Sequence, residues 1–258
     1  MAPRFFHPEP LSVGARAELS PTAATHARTV LRLRAGAEIT LFDGHGAEFH
    51  AVITQIDRGR LRVDITRRNA VDRESSLPLT LVQGLIKGQK MDWIVQKATE
   101  LGVTAIHPVV CERSVVRLPA ERLIGKANHW RGVAIAACEQ CGRNRLPLIH
   151  DPIPLAAAIA AAAPDHRRWI MHPGLRQPRR RQTASPADRA ILYCGPEGGF
   201  TDHEVAQLRD QGALTLWLGQ RTLRSDTAAL TGIVLLQQRC GDLGAPAVDP
   251  GDRRAPTC

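Results

Sequence analysis

From Leu77 onward, short apolar runs alternate with helical patterns, and this alternation restricts the fold more than any other feature of the chain. The runs are rich in Leu, Ile and Val, which is typical of strands that are buried on both faces. Strands that are each followed by a helix form a mostly parallel sheet with helices on both sides. The five runs lie at 79–86, 104–110, 168–172, 190–195 and 214–219.

The segments between these runs carry helix signals of their own. Apolar residues recur at helical spacing from Met91 to Leu101, and Gly102 follows at the position of a C-cap. Further helices are predicted at about 121–140, in an alanine-rich stretch that Pro164 ends, from near Thr201, and at about 225–240. We assign residues 73–244 to this α/β region. The tail, 245–258, has Pro, Gly and charge but little apolar content, which predicts disorder.

The first 72 residues follow a different pattern, that of short β-strands. Two β-rich runs flank an Asp-Gly turn at 43–44, and a third run at 60–68 continues the alternation of apolar and polar residues. One short helical pattern lies between Pro21 and Leu33. We therefore predict a separate small β-barrel domain, residues 1–72, that includes one helix.

The charge of the chain favours a polyanionic partner. Lys and Arg total 34 against 25 Asp and Glu, a formal charge of +9, and nucleic acid is the commonest partner of such an excess. A basic surface without a specific ligand is the alternative. Aromatic residues make up only 4% of the chain, which argues against base stacking as the main binding device.

Arginines crowd the third β-rich run and its exit. Alternation places Arg60 and Arg62 on one face of this strand and Leu61 on the other. We interpret the arginine face as a phosphate-contacting surface; a merely solvated face is the alternative. A second cluster lies in the proline-rich segment 173–186, for which an RNA-binding loop and a mobile surface loop fit equally well. The arginines of the two clusters are at 58, 60, 62, 67, 68 and 73, and at 176 and 179–181.

The cysteines and the apolar stretches exclude several classes of protein. Cys138 and Cys141 form a CxxC late in a helical pattern, whereas a redox CxxC usually opens a helix, and no second pair at zinc spacing accompanies them. We expect reduced cysteines and no metal. No apolar stretch reaches the roughly 18 residues of a membrane span. The N-terminus lacks the apolar region of a secretory signal, so we expect a cytoplasmic protein that does not contact a membrane.

A glycine-rich loop follows the fourth apolar run, in the stretch CGPEGGFTDHE at 194–204. Thr201 and Glu204 have the spacing of a capping box, so the helix start already has an anion of its own. Glu197 and Asp202 add two more carboxylates, and no phosphate-binding lysine motif is present. The loop is therefore a poor phosphate cradle, but its glycines let a neutral or cationic ligand approach the backbone closely.

A second loop, LGQRTLRSDTAAL at 218–230, has the same order of strand, glycine turn and helix. Arg221 and Arg224 belong to it, and Ser225 or Asp226 is positioned to cap the final helix. Both loops follow apolar strands, so both are expected at the carboxyl ends of a parallel sheet, where open α/β folds bind ligands. The pair predicts a small-molecule site beside an anion site.

These two loops resemble the paired signatures of the RsmE family, SPOUT-class methyltransferases that act on N3 of a uracil in the decoding region of 16S ribosomal RNA. Most of the chain up to about residue 244 takes part in the resemblance. The matching stretches are RFFHPEPL at 4–11, KGQKMDWIVQKATELGV at 87–103, ERSVV at 112–116, IAACEQCGRNRLP at 135–147, GPEGGF at 195–200 and LGQRTLRSDTAAL at 218–230.

The resemblance implies a PUA-like RNA-binding barrel, an α/β domain with a deep C-terminal trefoil knot, and a homodimer. It also implies that the loops of the knot bind S-adenosylmethionine. Asp226 stands where the family usually has Glu, and Cys194 replaces a common aliphatic residue. The implied cofactor-binding residues are Met171, His172, Cys194, Gly195, Pro196, Glu197, Gly198, Gly199, Leu218, Gly219 and Leu223.

The uracil N3–H is a weak acid, so a cation that stabilises the uridine anion helps methyl transfer. Arg221 is our first candidate for this catalytic role and Arg224 the second. A phosphate clamp, or an ion pair with Glu197 or Asp226, is the alternative for either arginine. The predicted contacts with 16S RNA, either free or in the small ribosomal subunit, are Arg4, Arg60, Arg62, Arg67, Arg143 and Arg145.

The sequence does not assign a single role to several other polar residues. Glu139 and Gln140 are candidates to contact the target nucleotide or a partner subunit, and no residue stands out as a general base. His7, His107 and His172 are interpreted as packing or hydrogen-bonding residues, and His172 also flanks a predicted cofactor loop. The two alternative functions are a SPOUT ribose 2′-O methyltransferase of transfer RNA and a non-catalytic RNA-binding factor in ribosome assembly.

Overall fold

A computed structural model describes residues 2–57, 60–116, 119–175 and 189–244. The chain forms two compact units. The first comprises residues up to 74 together with 135–146, and the second comprises the described residues of 75–134 and 147–244. The arginines of the two clusters at 58, 176 and 179–181 lie outside the described residues. The tail that we predict to be disordered, 245–258, lies outside them too.

The first unit is built on a five-stranded sheet with the strand order β1-β3-β4-β5-β2. β1 pairs with β3 in parallel, and the remaining pairs are antiparallel. A short helix, α1, opens at Pro21 behind the N-cap Ser20 and continues into a π-helical turn at His26–Val30. The strands are β1 Arg4–Phe6, β2 Arg16–Glu18, β3 Glu38–Phe42, β4 Glu48–Asp57 and β5 Arg60–Asn69, and α1 is Pro21–Thr25.

The alternation predicted for β5 is confirmed. Leu61, Val63 and Ile65 are buried, whereas Arg60 and Arg62 are exposed. The buried residues pack with the inner faces of β3 and β4 and with α1 to form the core of this unit. The opposite face of β5 therefore presents its arginines to solvent.

A buried ion network in the first unit joins β1 to β4 and to the segment 142–144. Arg4 donates to a carboxylate oxygen of Glu48 (2.7 Å) and to Oδ1 of Asn144 (2.7 Å). Arg73 donates to the same Glu48 oxygen (3.0 Å). Only 6% of the Arg4 side chain and 10% of the Glu48 side chain are exposed. Two arginines therefore neutralise one buried carboxylate.

The second unit contains the parallel sheet that the sequence predicts. Its strand order is β12-β10-β11-β6-β7-β8, and β9 pairs with β7 beyond this path. All of its pairings are parallel. The strands are β6 Leu79–Gly84, β7 Ala105–Val110, β8 Leu148–Ile149, β9 Ile153–Pro154, β10 Arg167–Met171, β11 Ala190–Cys194 and β12 Leu214–Thr215.

The predicted helices are present. Gly102 follows α2, Lys90–Glu100, with a positive φ of 82°, as expected of a glycine that ends a helix. The capping box of Thr201 and Glu204 opens α5, Asp202–Asp210, as predicted. No helix among the described residues is long and apolar enough to cross a membrane. The other helices are α3 Ala120–Cys141, α4 Leu155–Ala160 and α6 Ser225–Cys240.

Parallel pairing brings the carboxyl ends of four neighbouring strands to the same edge of the sheet. β6 ends at Gly84, β10 at Met171, β11 at Cys194 and β12 at Thr215. The core beneath this edge is formed by the apolar residues of these strands, with α2 and α6 packed against them. The loops that leave the four strands therefore meet above a rigid layer.

Candidate functional site

The loops at this edge enclose a cavity of about 430 Å³. A smaller cavity of about 90 Å³ adjoins it and shares several of its wall residues, among them His172 and Leu223. The walls combine apolar side chains, glycine backbone and a few charged groups, which is typical of a small-molecule site. The larger cavity is lined by Ile86, Lys90, Arg113, Met171, His172, Pro173, Cys194, Gly195, Pro196, Glu197, Gly198, Gly199, Thr222, Leu223, Arg224, Ser225, Asp226 and Ala228.

The residues predicted to bind a cofactor are brought together at these cavities. The larger one is lined by nine of them: Met171, His172, Cys194, Gly195, Pro196, Glu197, Gly198, Gly199 and Leu223. Leu218 and Gly219 line the smaller one. Three loops that are distant in sequence thus share one site.

Close backbone approach explains the glycines of the loop 195–199. Gly199 has a φ of 69°, a conformation that strains other residues. A Cβ at Gly198 would lie 3.0 Å from the Cβ and the carbonyl oxygen of Arg113. Arg113 also donates to the carbonyls of Gly198 (3.4 Å) and Phe200 (3.2 Å). The loop is therefore held against the segment that follows β7.

Glu204 also binds the segment that follows β7. One of its carboxylate oxygens accepts from the backbone N–H of Thr201 (2.8 Å), and the other accepts from that of Glu112 (2.9 Å). Glu197 has a different role: it is exposed, lines the cavity, and accepts from the backbone N–H of Lys87 (3.0 Å). Both carboxylates thus fix neighbouring loops through backbone amides.

The two candidate catalytic arginines are exposed at different cavities. Arg221 lines the smaller cavity and Arg224 the larger one. The ion pairs found among the described residues do not include either of them, so the alternative of a pair with Glu197 or Asp226 finds no support here. Both guanidinium groups remain available to a ligand.

The predicted cap of the final helix is wrong. The N-cap position of α6 is occupied by Arg224, which makes no side-chain cap hydrogen bond, and Ser225 is already the first helical residue. Its hydroxyl instead donates to the carbonyl of Gly195 (2.6 Å). The hydroxyl of Ser225 therefore binds the start of the glycine-rich loop and does not cap α6.

His172 is a hydrogen-bonding residue in the wall of the site. Its Nδ1 accepts from the backbone N–H of Gly174 (3.1 Å), and its Nε2 lies 3.2 Å from the carbonyl oxygen of Phe200. Because Nδ1 accepts, Nε2 is the ring nitrogen that can donate to the carbonyl of Phe200. His172 thereby connects the loop after β10 to the loop after β11.

Sequence reasoning missed the contribution of Gln83. This residue is fully buried at the carboxyl end of β6. Its Nε2 donates to the carbonyl of Gly84 (2.9 Å) and to Oγ of Ser225 (3.0 Å), and lies 3.4 Å from the carbonyl of Gly195. A glutamine inside an apolar run has no pattern that announces such a role. Lys90 and Arg113 of the lining were also missed.

Cys194 lies beside this group. Its Sγ is 3.5 Å from the carbonyl oxygen of Ser225. Burial raises the pKa of the Cys194 thiol to about 12, against a smaller opposing effect of hydrogen bonds from Ser225 and Gln83. The thiol is therefore neutral near pH 7 and acts as a packing residue.

The residues predicted to contact RNA fall into two groups. Arg60, Arg62, Arg67 and Arg145 are exposed on the first unit. Arg4 and Arg143 are not: Arg4 is held by Glu48, and Arg143 is paired with Glu74 with only 5% of its side chain exposed. Charge alone does not distinguish a surface arginine from one that neutralises a buried carboxylate, so we keep only the first group as RNA contacts.

The other polar candidates have structural partners. Glu139 accepts from the backbone N–H of Phe6 (3.0 Å), and burial raises the pKa of its carboxyl. The ring of His107 stacks on that of His150 with 3.5 Å between centroids, and burial together with His150 lowers the pKa of His107 to about 4. His7 is buried and bonds within its own loop, where the N–H of Glu9 donates to it. These contacts fit packing and hydrogen-bonding roles.

The cysteines are free in the part of the chain that the structure covers, with Cys138 buried and Cys141 half-buried. No group of three or more His, Cys, Asp or Glu within that part is placed to hold a metal ion.

Two sequence families match the chain. The RNA methyltransferase domain family matches residues 73–237, and the RNA methyltransferase PUA domain family matches residues 19–66. Ribosomal RNA small subunit methyltransferase E of Mycobacterium bovis is 31% identical over 85% of each chain. The enzyme of the same name from a Buchnera aphidicola strain is 27% identical over 93% of this chain and 98% of its own.

Two solved structures of methyltransferases are also similar to this chain. A putative methyltransferase from Legionella pneumophila, in complex with S-adenosylmethionine, superposes with a TM-score of 0.88 at 38% identity, covering 94% of this chain and all of its own. The ribosomal RNA small subunit methyltransferase E of Neisseria gonorrhoeae, bound to S-adenosylmethionine, superposes with a TM-score of 0.85 at 36% identity and the same coverage.

Proposed function

Because this chain belongs to the RNA methyltransferase family, together with the ribosomal RNA small subunit methyltransferases E, we propose that it methylates 16S ribosomal RNA with S-adenosylmethionine. The finer proposal is that the methyl group goes to N3 of one uridine. The observation that carries the function is the cavity at the carboxyl edge of the sheet, where all of the implied cofactor residues converge.

The residues of the cavity fit S-adenosylmethionine. Its volume of about 430 Å³ is that of a small-molecule site. Met171, Leu223 and Ile86 offer apolar surface to a nucleoside, and the glycine backbone at 195–199 offers amides and carbonyls to its polar edges. Glu197 and Asp226 suit a cationic ligand, and Arg113 or Lys90 suits a carboxylate. When bound there, S-adenosylmethionine supplies a methyl group on a positively charged sulfur.

The chain itself contributes orientation and charge. The three loops hold donor and acceptor in line, and alignment of this kind accounts for much of the rate of a displacement reaction. The role proposed for Arg221 is to stabilise, by its positive charge, the uracil anion that forms when the N3 proton passes to solvent. This anion attacks the methyl group, and S-adenosylhomocysteine is the leaving group. The exposure of Arg221 and its freedom from ion pairs among the described residues support this role.

The remaining features of the proposal concern the whole protein. We propose residues 1–72 as a PUA-like RNA-binding domain and 73–244 as the methyltransferase domain with a trefoil knot. The active form is proposed to be a cytoplasmic homodimer.

The function is tested first by ligand binding and then by mapping the RNA. Titration calorimetry is expected to show that the folded protein binds S-adenosylmethionine; no binding would contradict the methyltransferase function. Mass mapping of 16S RNA from a strain that lacks the protein should show one uridine without its N3-methyl group. A retained N3-methyluridine would leave the enzyme class standing but refute the target, and a lost ribose methyl group would favour 2′-O methylation.

The arginine face of β5 is expected to contribute to RNA affinity. Replacing Arg60 and Arg62 by alanine should weaken RNA binding and lower the slope of log K against log salt by about 1.4, the value for two lost contacts with single-stranded RNA. Both arginines lie near Glu18 (3.7 and 3.6 Å), in exposed pairs that compete only weakly with a phosphate. The measurement is filter binding at several salt concentrations.

Exposed Arg189 and Arg209 of the second unit supply the matched control, because their double alanine variant changes the net charge equally. An equal loss of slope in both double variants would show that only total charge matters and that the β5 face is merely solvated.

A further inference from the structure

A fully buried amide at the end of β6 connects two walls of the cavity. Gln83 shares its strand with apolar residues and is one of the few buried polar side chains at this edge. Burial of a glutamine is unfavourable unless hydrogen bonds replace those it makes to water. Its Nε2 finds acceptors on two distant segments, Oγ of Ser225 (3.0 Å) and the carbonyl of Gly195 (3.4 Å), whereas its Oε1 has no hydrogen-bond partner among the described residues.

Ser225 completes the connection. Its hydroxyl accepts from Gln83 and donates to the carbonyl of Gly195 (2.6 Å), so one hydroxyl serves both sides. Gly195 begins the glycine loop, 195–199. Ser225 begins α6 directly after the segment 218–224 that carries Arg221 and Arg224, here called the arginine loop. The chain of bonds therefore fixes the start of one wall to the end of the other.

The backbone at the next residue shows how close the elements are. A Cβ at Gly84 would lie 2.5 Å from the backbone nitrogen of Pro196, which is closer than real Cβ contacts. The end of β6 thus lies directly against the glycine loop, with no side chain between them. Next to this backbone contact, the side chain of Gln83 reaches the carbonyl of Gly195 and Oγ of Ser225.

We propose that Gln83 is a positioning residue that, through Ser225, preorganises the glycine loop and the arginine loop around the methyl donor. The inference rests on the proposed function in that its ligand is S-adenosylmethionine. Gln83 does not itself line the cavity. It acts by holding the glycine loop and the arginine loop in place before S-adenosylmethionine binds. Binding then does not lose the free energy of ordering these loops.

The test compares two buried glutamines of the second unit. Gln237 is also fully buried; it accepts from Oγ of Ser75 (2.6 Å) and donates to the carbonyl of Leu101 (3.0 Å), near the far end of α6. Gln237→Met, which removes two hydrogen-bonded polar groups, is expected to lower the thermal midpoint at least as much as Gln83→Met, whose Oε1 has no partner among the described residues. Only Gln83→Met should weaken binding of S-adenosylmethionine and S-adenosylhomocysteine, by about tenfold or more, as measured by calorimetry.

Ser225 provides a second, milder test that does not depend on the glutamine variant folding. Ser225→Ala is expected to weaken binding of both ligands, whereas Ser225→Thr, which keeps the hydroxyl, should restore it. In methylation assays the defect is expected mainly in KM for S-adenosylmethionine, with a smaller change in kcat.

The outcomes separate this inference from the function on which it rests. If the unchanged protein does not bind S-adenosylmethionine, the proposed function fails. If it binds, and the Gln83 and Ser225 variants bind as tightly, the function stands and the positioning role is refuted. Equal affinity losses in the Gln83 and Gln237 variants would also refute it, because they would report general destabilisation.

Discussion

Replacing Arg221 by alanine is expected to lower the rate constant of methyl transfer by about 10²- to 10³-fold, the usual loss when one group that stabilises a developing anion is removed. The affinity for S-adenosylmethionine should change far less. Arg221 is exposed at the smaller cavity and is not in any of the ion pairs of the described residues, so its removal leaves no buried charge unpaired. The effect should therefore fall on chemistry rather than on stability.

The measurement is single-turnover transfer of labelled methyl groups to 16S RNA, with calorimetry on the same samples. Arg224→Ala is the matched control, because Arg224 belongs to the same loop but lines the larger cavity. It is expected to lose less of the rate. If Arg221→Ala loses donor affinity as severely as rate, Arg221 binds the cofactor; if Arg224→Ala shows the larger loss of rate, the catalytic assignment passes to Arg224.

The pH dependence of the methyl-transfer rate gives a second test of the catalytic role of Arg221. An arginine stays protonated throughout the accessible range, so the stabilising charge does not titrate. Raising the pH promotes loss of the uracil N3 proton and should partly compensate for the missing cation in Arg221→Ala. A rate deficit that narrows as the pH rises is the expected result, and a constant deficit would argue for a purely positional role.

Much of the second unit could be predicted from its sequence because its central strands are continuous apolar runs. β6, β7, β10 and β11 are buried on both faces and were visible for that reason. β8 and β9 were not predicted: each has only two residues, too few for any periodicity to show. Parallel pairing is expected where a helix connects two strands, as α2 connects β6 to β7 and α5 connects β11 to β12, and it brings the loops at the carboxyl ends together.

The side-chain partners could not be predicted in the same way. Gln83 contacts groups 112 and 142 residues further along the chain, and nothing local marks those contacts. Ser225 has the residue type and position of a helix cap, yet the approach of Gly195 gives its hydroxyl another acceptor. Arg4 and Arg143 look like surface charges until their buried carboxylates are located. Pattern predicts elements; polar contacts between them depend on the tertiary fold.

Glu48→Ala is expected to destabilise the first unit by about 3–5 kcal/mol, because it removes the carboxylate that neutralises a buried guanidinium. Arg4 keeps its bond to Asn144 Oδ1 but loses its only charged partner among the hydrogen bonds of the described residues. Hydrogen exchange at the amides of β3, β4 and β5 in the full chain measures the loss, since it reports the opening of this unit by itself.

Acidic pH should shrink the difference between the two proteins. Burial raises the pKa of Glu48, but the hydrogen bonds and charges of Arg73 and Arg4 outweigh it and hold the pKa below its ordinary value. A carboxyl whose pKa is lowered by folding stabilises the protein above its unfolded pKa and loses that contribution as the pH falls through the folded value. The gap between wild type and Glu48→Ala should therefore close toward low pH.

Glu18 offers a matched control in the same sheet. It also lies near two arginines, Arg60 and Arg62, but in exposed pairs, so Glu18→Ala should cost less than about 1 kcal/mol. The double variant Arg4→Met/Glu48→Leu should recover much of the stability lost in Glu48→Ala, because it removes both buried charges together. If Glu48→Ala costs no more than Glu18→Ala, or if the double variant is no more stable than Glu48→Ala alone, the buried carboxylate does not hold β1 and β4 together through Arg4.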